Sequence, residues 1–171
     1  MLVYAVDSKT DTGSDLAFVK RVFEETLAPG WTAEGRKTFD GLIEAARLFP
    51  MFRYFEAYDE LENRLAGVLA ADNELSHISL LFIHPEYARR GVGTALLRLV
   101  ERATAQPGLT VNAEPTAVPF YVKNGFVPTT GVNETRDGIT TLRMFKSLKP
   151  FCAASQKRKK EGSSAKKLPA C

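Results

Sequence analysis

The first fifty residues alternate a short apolar run with two amphipathic segments. The run LVYAV, residues 2 to 6, is apolar and β-branched and predicts a strand. A helix is predicted from Ser14, as its N-cap, to about Leu27, before Pro29 and Gly30 interrupt it. A second helix is predicted over residues 32 to 49, where the apolar positions Phe39, Leu42, Ile43 and Ala46 share one face.

The next part of the chain changes to strand patterns and then alternates strands with helices. Three strands separated by short polar turns are predicted at residues 51 to 59, 64 to 72 and 74 to 83. After them we predict a helix at residues 92 to 105, a strand at 109 to 113, a helix at 116 to 124 and a strand at 126 to 130. A turn at Arg136, Asp137 and Gly138 leads into the last predicted strand, at 139 to 145. This order predicts an α/β protein with a mixed sheet covered by helices on both faces.

Composition fits one ordinary globular domain over residues 1 to 150. The chain has 171 residues, of which 44% are hydrophobic. It contains no run of the roughly 18 to 20 apolar residues that a membrane span needs, and it does not begin like a signal peptide. The two cysteines, Cys152 and Cys171, lie close together near the C-terminus and make no disulfide framework. We therefore expect a cytoplasmic protein with free thiols.

The net charge of +3 is unevenly distributed. Residues 151 to 171 hold six of the 23 lysines and arginines but only one of the 20 acids, which leaves 17 bases and 19 acids in residues 1 to 150. This tail is predicted to be disordered because it has few apolar residues to bury. Either it is simply solvated, or it binds nucleic acid, another polyanion or a targeting receptor.

A glycine-containing loop between a predicted strand and a predicted helix is the clearest candidate for a ligand site. In the stretch HISLLFIHPEYARRGVGTALL, residues 77 to 97, Gly91 and Gly93 stand at the start of the helix and follow Arg89 and Arg90. Free amides and the positive end of a helix dipole attract anions, so the loop is a candidate phosphate site. From these residues alone, a tight turn without a ligand remains the alternative. The glycine patterns of P-loops and dinucleotide folds are absent.

Two motifs together resemble the GCN5-related N-acetyltransferases, the GNAT superfamily. PEYARRGVG, residues 85 to 93, resembles the family's pyrophosphate loop, and AVPFYVKNGF, residues 117 to 126, resembles its A-x-x-F-Y-x-x-x-G-F motif. The resemblance extends over about residues 2 to 148. It implies a mostly antiparallel twisted sheet of about six to seven strands flanked by about four helices, with acetyl-CoA as cosubstrate. The two histidines and the distant cysteines have no metal-ligand spacing, so no metal site is expected.

The resemblance also implies which residues hold acetyl-CoA. The backbone amides of the loop would bind the pyrophosphate, and they belong to Arg89, Arg90, Gly91, Val92, Gly93 and Thr94. Main-chain groups of Leu81, Phe82 and Ile83 would pair with the pantetheine arm like an added strand. The sequence departs from the family at Ala88, where Gln or Arg is usual, and a neighbouring arginine is expected to compensate.

Two residues are candidates for the chemistry of acetyl transfer. Tyr121 matches the family's tyrosine near the CoA sulfur and would be the general acid; the alternative is a packing residue. His77 has the same strand parity as Leu81 and Ile83, and an imidazole with a pKa of about 6.5 suits a general base. A structural, hydrogen-bonded histidine is the alternative.

Three further features concern the walls of the site. Glu114 stands where many relatives have Asn or Ser, so it either acts on the amine or is a surface substitution. Asn112 is a possible polar contact for the cofactor. The aromatic residues of 51 to 58, with Trp31, Phe39 and Phe49, either wall an acceptor pocket or form core.

The prediction for function is direct transfer of an acetyl group to a primary amine of a small molecule. The resemblance also implies that a homodimer is one form of the enzyme. The first two helices would select the acceptor. Alternatives are acetylation of a protein lysine or N-terminus, a catalytically inactive acyl-CoA-binding module, and nucleic-acid binding through the tail.

Overall fold

The computed structural model describes residues 3 to 8 and 13 to 148. Its helices are α1 (Ser14–Thr26), α2 (Ala33–Leu48), α3 (Val92–Ala103) and α4 (Val118–Lys123). Its strands are β1 (Val3–Ser8), β2 (Phe52–Asp59), β3 (Arg64–Asp72), β4 (His77–Ile83), β5 (Gly108–Ala113), β6 (Val127–Pro128), β7 (Glu134–Arg136) and β8 (Ile139–Ser147). The predictions for the basic tail, Cys152 and Cys171 lie outside the described residues. Within those residues, no helix has the length and apolar character to cross a membrane.

The strands form one mixed sheet, as predicted. Its order is β1-β2-β3-β4-β5-β8-β6, and β7 pairs with β8 off this path. Every neighbouring pair is antiparallel except β4 and β5. The prediction of a mostly antiparallel α/β fold is therefore confirmed.

Helices cover both faces of this sheet. On one face α1 and α2 bury a cluster around Val19, Phe23 and Phe39, in which the rings of Phe23 and Phe39 stack with centroids 3.9 Å apart. On the other face α3 and α4 bury a cluster that includes Leu96 and Tyr121. Burial of these two apolar clusters is the main favourable contribution to the stability of the fold. The two faces are named below the α1/α2 face and the α3/α4 face.

Local predictions failed at three places. Gly13, with φ of 86°, is the N-cap of α1, so Ser14 begins the helix and is not the cap. The predicted strand at residues 126 to 130 is reduced to Val127–Pro128. The three residues of β7 were not predicted, because all are exposed and their pattern has no apolar alternation.

A hairpin of β7 and β8, residues 134 to 147, reaches across to α2. Asp137 and Gly138 form its two-residue turn with φ of 49° and 76°, as tight hairpins require. The hydroxyl of Thr38 donates to the carbonyl of Asp137 at 2.8 Å, and the hydroxyl of Thr32 donates to the carbonyl of Gly138 at 3.2 Å. The tip of this hairpin is therefore fastened to the first turns of α2.

We expect Gly35→Ala to destabilise the protein, because a methyl group there has no room under the hairpin tip. A Cβ at Gly35 would lie 2.5 Å from the carbonyl oxygen of Gly138. The free energy of unfolding, measured by urea denaturation, should fall by about 1 to 3 kcal/mol. Gly41→Ala is the matched control: it lies in the same helix in open space and should raise stability by up to about 1 kcal/mol. Equal stabilisation by both variants would show that the contact at Gly35 is not tight.

Candidate active site

A cavity opens where the two central strands separate. β4 and β5 are paired at only two positions, His77 with Thr110 and Ile78 with Val111. Beyond these positions the strands diverge, and the cavity between and beside them has a volume of about 1090 Å³. A register shift against β3, in which Ala70 faces Leu80 but Ala71 faces Ile78, marks Ser79 as a β-bulge at the point of divergence.

The bulge changes the face on which His77 lies. Ile78 packs in the same α3/α4 cluster as Leu81 and Ile83, so its strand neighbour His77 points to the α1/α2 face. The prediction that His77 shares a face with Leu81 and Ile83 is therefore wrong. The extra residue, Ser79, reverses the faces on which the preceding residues of β4 lie.

His77 is held in a defined orientation at the base of the cavity. Its Nδ1 lies 2.8 Å from the hydroxyl oxygen of Thr110, and its backbone N–H donates to the carboxylate of Asp72 at 3.1 Å. Burial lowers the pKa of His77 below the ordinary 6.5, the charge of Asp72 opposes this shift, and the charge of Arg143 adds to it. The imidazole is therefore neutral at pH 7 and able to accept a proton.

Tyr121 lines the same cavity from the α3/α4 face. It is 5% exposed, and its ring meets the rings of Phe120 and Phe126 edge-on at 5.2 and 5.4 Å. Burial raises its pKa far above the ordinary value of 10. At neutral pH its hydroxyl carries a proton, so Tyr121 can serve as a proton donor and not as a base.

The edge of β4 that faces the cavity has no strand partner beyond Ile78 among the described residues. The N–H of His84 donates to the carbonyl of Ala66 on β3 at 3.0 Å. Strand alternation then directs the main-chain groups of Phe82 to β3 and those of Leu81 and Ile83 to the cavity. The expectation for Phe82 is corrected accordingly: its main chain pairs with β3, and only its side chain reaches the cavity, from the α1/α2 face.

The glycine loop follows the end of the cavity at Ala88. Arg89 and Gly91 both have left-handed backbone, with φ of 62° and 86°. The first hydrogen bond of α3 runs from the N–H of Ala95 to the carbonyl of Gly91 at 2.9 Å. The amides of Val92, Gly93 and Thr94 precede that bond, so the helix itself does not use them.

The two glycines of the loop are needed for different reasons. An added Cβ at Gly91 would meet no atom within 4 Å, so this position requires glycine for its backbone conformation. A Cβ at Gly93 would lie 3.0 Å from the ring of Phe120 on α4. Gly93 therefore allows α3 to approach α4, in addition to any contact with a ligand.

A polar network that was not predicted from the sequence lies beneath the loop. Tyr87 is 3% exposed; its hydroxyl donates to the carboxylate of Asp59 at 2.9 Å and accepts from Nε of Arg64 at 3.0 Å. Arg64 also pairs with Glu86. Arg90 lines a smaller cavity of about 370 Å³ beside this network. The network ties the residues before the loop to the turn between β2 and β3, a long-range contact that the local sequence does not signal.

Glu114 and Asn112 line the cavity from β5 and the turn after it. The carboxylate of Glu114 accepts from the N–H of Thr116 at 2.8 Å and from the Thr116 hydroxyl. It therefore caps the short turn that leads into α4. Asn112 is exposed and stands opposite Arg143 of β8 in the sheet register.

The remaining walls of the cavity come from α1, α2 and the β7–β8 hairpin. The α1/α2 side is apolar and includes Trp31, Phe39, Leu42 and Phe52. Phe39 and Phe52 are also buried in the core, so the core interpretation is confirmed for these two residues, and both also line the cavity. The hairpin contributes polar side chains, of which Arg136 and Arg143 were not among the predicted site residues.

Comparisons with known proteins identify the family to which this fold belongs. Residues 28–148 match the family model of the acetyltransferase (GNAT) domain. An uncharacterised N-acetyltransferase of Escherichia coli K12, YafP, is 46% identical over 50 residues, which are 29% of this chain and 32% of that protein. The matched part thus spans about a third of the relative's length.

Solved structures with the same architecture cover nearly the whole described chain. A GCN5-related N-acetyltransferase from Rhodopseudomonas palustris has a TM-score of 0.63 and 25% identity, covering 83% of this chain and 98% of that one. PaiA N-acetyltransferase from Thermoplasma acidophilum, solved with coenzyme A, has a TM-score of 0.65, covers 86% and 99%, and at 16% identity shows the fold alone. Because the family model covers well over half of the sequence, this chain belongs to the GNAT acetyltransferase family.

Proposed function

We propose that this protein transfers an acetyl group from acetyl-CoA directly to a primary amine of a small molecule. The observation that carries the proposal is the divergence of β4 and β5 after Ile78 and Val111, which opens one cavity along an unpaired strand edge. That cavity ends beside the glycine loop and is lined by Tyr121 and His77 from opposite faces of the sheet.

The residues around the cavity fit acetyl-CoA. The unused amides of Val92, Gly93 and Thr94 suit a pyrophosphate, and the exposed side chains of Arg89 and Arg90 add positive charge. The main-chain groups of Leu81 and Ile83 suit the amides of a pantetheine arm, which would pair with them as a further strand does. Asn112 offers a polar side chain on the opposite strand. The related fold solved with coenzyme A supports the same assignment.

The chemistry requires two proton transfers. The acceptor nitrogen forms a bond to the acetyl carbon as the carbon–sulfur bond breaks, and no electrons are gained or lost overall. His77 takes the proton that the amine must lose, either directly or through water. Tyr121 gives its proton to the departing sulfur and recovers one from solvent. The carboxylate of Glu114 accepts from the N–H of Thr116, so we assign Glu114 the role of positioning the turn before α4.

The hairpin in the wall of the cavity favours a small acceptor over a protein chain. The β7–β8 hairpin is fastened to α2 by the hydrogen bonds from Thr32 and Thr38, and it contributes residues to the wall of the cavity. An extended peptide would have to displace this hairpin. Acetylation of a protein lysine or N-terminus therefore ranks second. Homodimer formation and a cytoplasmic location stay predictions.

His77→Gln tests the proposed base through the pH dependence of kcat/KM. In the wild type, log kcat/KM should rise with slope one at neutral pH, because the acceptor must lose a proton. It should steepen to slope two below the pKa of His77, which lies under 6.5, since His77 must then lose a proton as well. The variant should keep slope one throughout and lose about 10- to 100-fold in kcat.

The second histidine provides the control for this experiment. His84 stands in the loop after β4, where Nδ1 caps the following turn. His84→Gln should retain the steeper acid limb. An unchanged profile in His77→Gln would mean that His77 is a structural residue bonded to Thr110 and that water alone removes the proton.

A further inference from the structure

The part of the cavity where the acceptor would enter combines a polar row with an apolar wall. His77 faces Thr110 on β5, and Asn112 on β5 faces Arg143 on β8. Adjacent strands carry facing residues on the same side of a sheet, so Thr110, Asn112, Arg143 and His77 all lie on the α1/α2 face. The row runs across the sheet at the place where β4 and β5 separate.

Arg143 places a positive charge beside the candidate base. It lines the cavity, and its charge contributes to lowering the pKa of His77. Arg136, on β7, lines the cavity nearer the hairpin tip. Among the described residues neither guanidinium forms an ion pair. Of the two acidic residues of the hairpin that line the cavity, Asp137 lies in the turn at its tip, whereas Glu134 stands opposite Thr141, two residues from Arg143 on β8.

The wall opposite this row is apolar. The short turn after α1 contributes Trp31, and α2 contributes Phe39 and Leu42. The wall continues with Met51 and Phe52. Phe39 and Phe52 are buried, which fixes the shape of the wall, whereas Met51 is 39% exposed at its edge. Such a surface binds an aliphatic or aromatic group by removing it from water.

We infer that the acceptor is an amino-acid-like molecule: a primary amine with a carboxylate nearby and an apolar or aromatic side chain. The inference rests on the proposed function and specifies its acceptor. Arg143 pairs with the carboxylate, His77 receives the proton of the amine, and the apolar wall holds the side chain. A guanidinium suits a carboxylate because it can donate two parallel hydrogen bonds.

The transfer step with such an acceptor is balanced within the site. The amine nitrogen gains the acetyl carbon and loses its proton to His77, while the thiol of CoA leaves with a proton from Tyr121. The carboxylate is not consumed. Its negative charge is retained in the N-acetylated product, which should therefore also bind to Arg143.

The test compares three acceptors that share one body: phenylalanine, phenylalaninamide and 2-phenylethylamine. Release of the CoA thiol is followed for the wild type, Arg143→Gln and the exposed control Arg98→Gln on α3. In the wild type, kcat/KM calculated for the unprotonated amine should be about 10- to 100-fold higher for phenylalanine than for the other two, the range expected for a charge-assisted hydrogen bond. Arg143→Gln should remove this preference by raising KM for phenylalanine alone, and Arg98→Gln should keep it.

Different failures have different meanings. Calorimetry with acetyl-CoA is performed first, and a folded protein that does not bind it contradicts the proposed function itself. If acetyl-CoA binds, four outcomes would overturn the acceptor assignment while leaving the cofactor site intact. They are equal turnover of all three acceptors, a preference for 2-phenylethylamine, an unchanged preference in Arg143→Gln, and no turnover of any of them. Arg143→Glu adds a reversal test, since it should favour 2-phenylethylamine over phenylalanine.

Discussion

Gly91→Glu will abolish the binding of acetyl-CoA. Gly91 is the N-cap of α3 with φ of 86°, a conformation that costs a side-chain-bearing residue about 1 to 2 kcal/mol. The new carboxylate would also stand beside the amides proposed to hold the pyrophosphate, where two negative charges repel. Together these effects should weaken binding by about 100-fold or more, as measured by titration calorimetry.

Gly13→Glu is a closely matched control for this experiment. Gly13 is likewise the N-cap of a helix, has the same φ of 86°, and has no atom within 4 Å of an added Cβ. It should lose a similar amount of stability and bind acetyl-CoA like the wild type. Equal loss of binding in both variants would point to general destabilisation, and unaltered binding by Gly91→Glu would mean that the loop does not hold the pyrophosphate.

Tyr121→Phe will lower kcat by about 100-fold and leave the affinity for acetyl-CoA within about threefold of the wild type. The variant keeps the ring that meets Phe120 and Phe126 but removes the proton donor. Because burial raises the pKa of Tyr121, the hydroxyl stays protonated at every neutral pH. Its removal should therefore lower kcat by the same factor across the neutral range. Steady-state kinetics and calorimetry on the same preparation separate the two quantities.

Tyr54→Phe controls for removing a hydroxyl from a buried tyrosine. Tyr54 is 3% exposed and packs on the α1/α2 face in contact with Phe52. We expect its kcat to stay within about threefold of the wild type. If Tyr121→Phe behaves in the same way, Tyr121 is not the acid. If the wild type also binds acetyl-CoA without turning over any amine, the protein is an acyl-CoA-binding module.

Most secondary structure was predictable because its signals are local. The spacing of apolar residues defined α1 and α2 to within about two residues. Thr32, predicted as the first residue of α2, is its N-cap and accepts from the N–H of Gly35 at 3.0 Å. The three strands of the meander were also found from their polar turns. Capping, turn formation and periodicity depend on residues within a few positions of one another, so they can be seen in the sequence.

The candidate cofactor loop was predictable for the same reason. Gly91 and Gly93 act within one turn of a strand-to-helix connection, and the second motif lies on the single short helix α4. The sequence could not separate the roles of the two glycines. Only the packing of Gly93 against Phe120 distinguishes a steric requirement from the conformational one at Gly91.

The geometry of the site itself depended on contacts between distant segments. The bulge at Ser79 has no sequence signature, yet it turns His77 to the opposite face from Leu81. Arg143 enters the cavity only because β8 pairs with β5 while its hairpin extends to α2. By itself, therefore, the sequence determined most of the elements, their order and the position of the candidate phosphate loop, since these follow from neighbouring residues. The tertiary structure alone decided which side chains face the cavity, because strand register is set by pairing across the sheet.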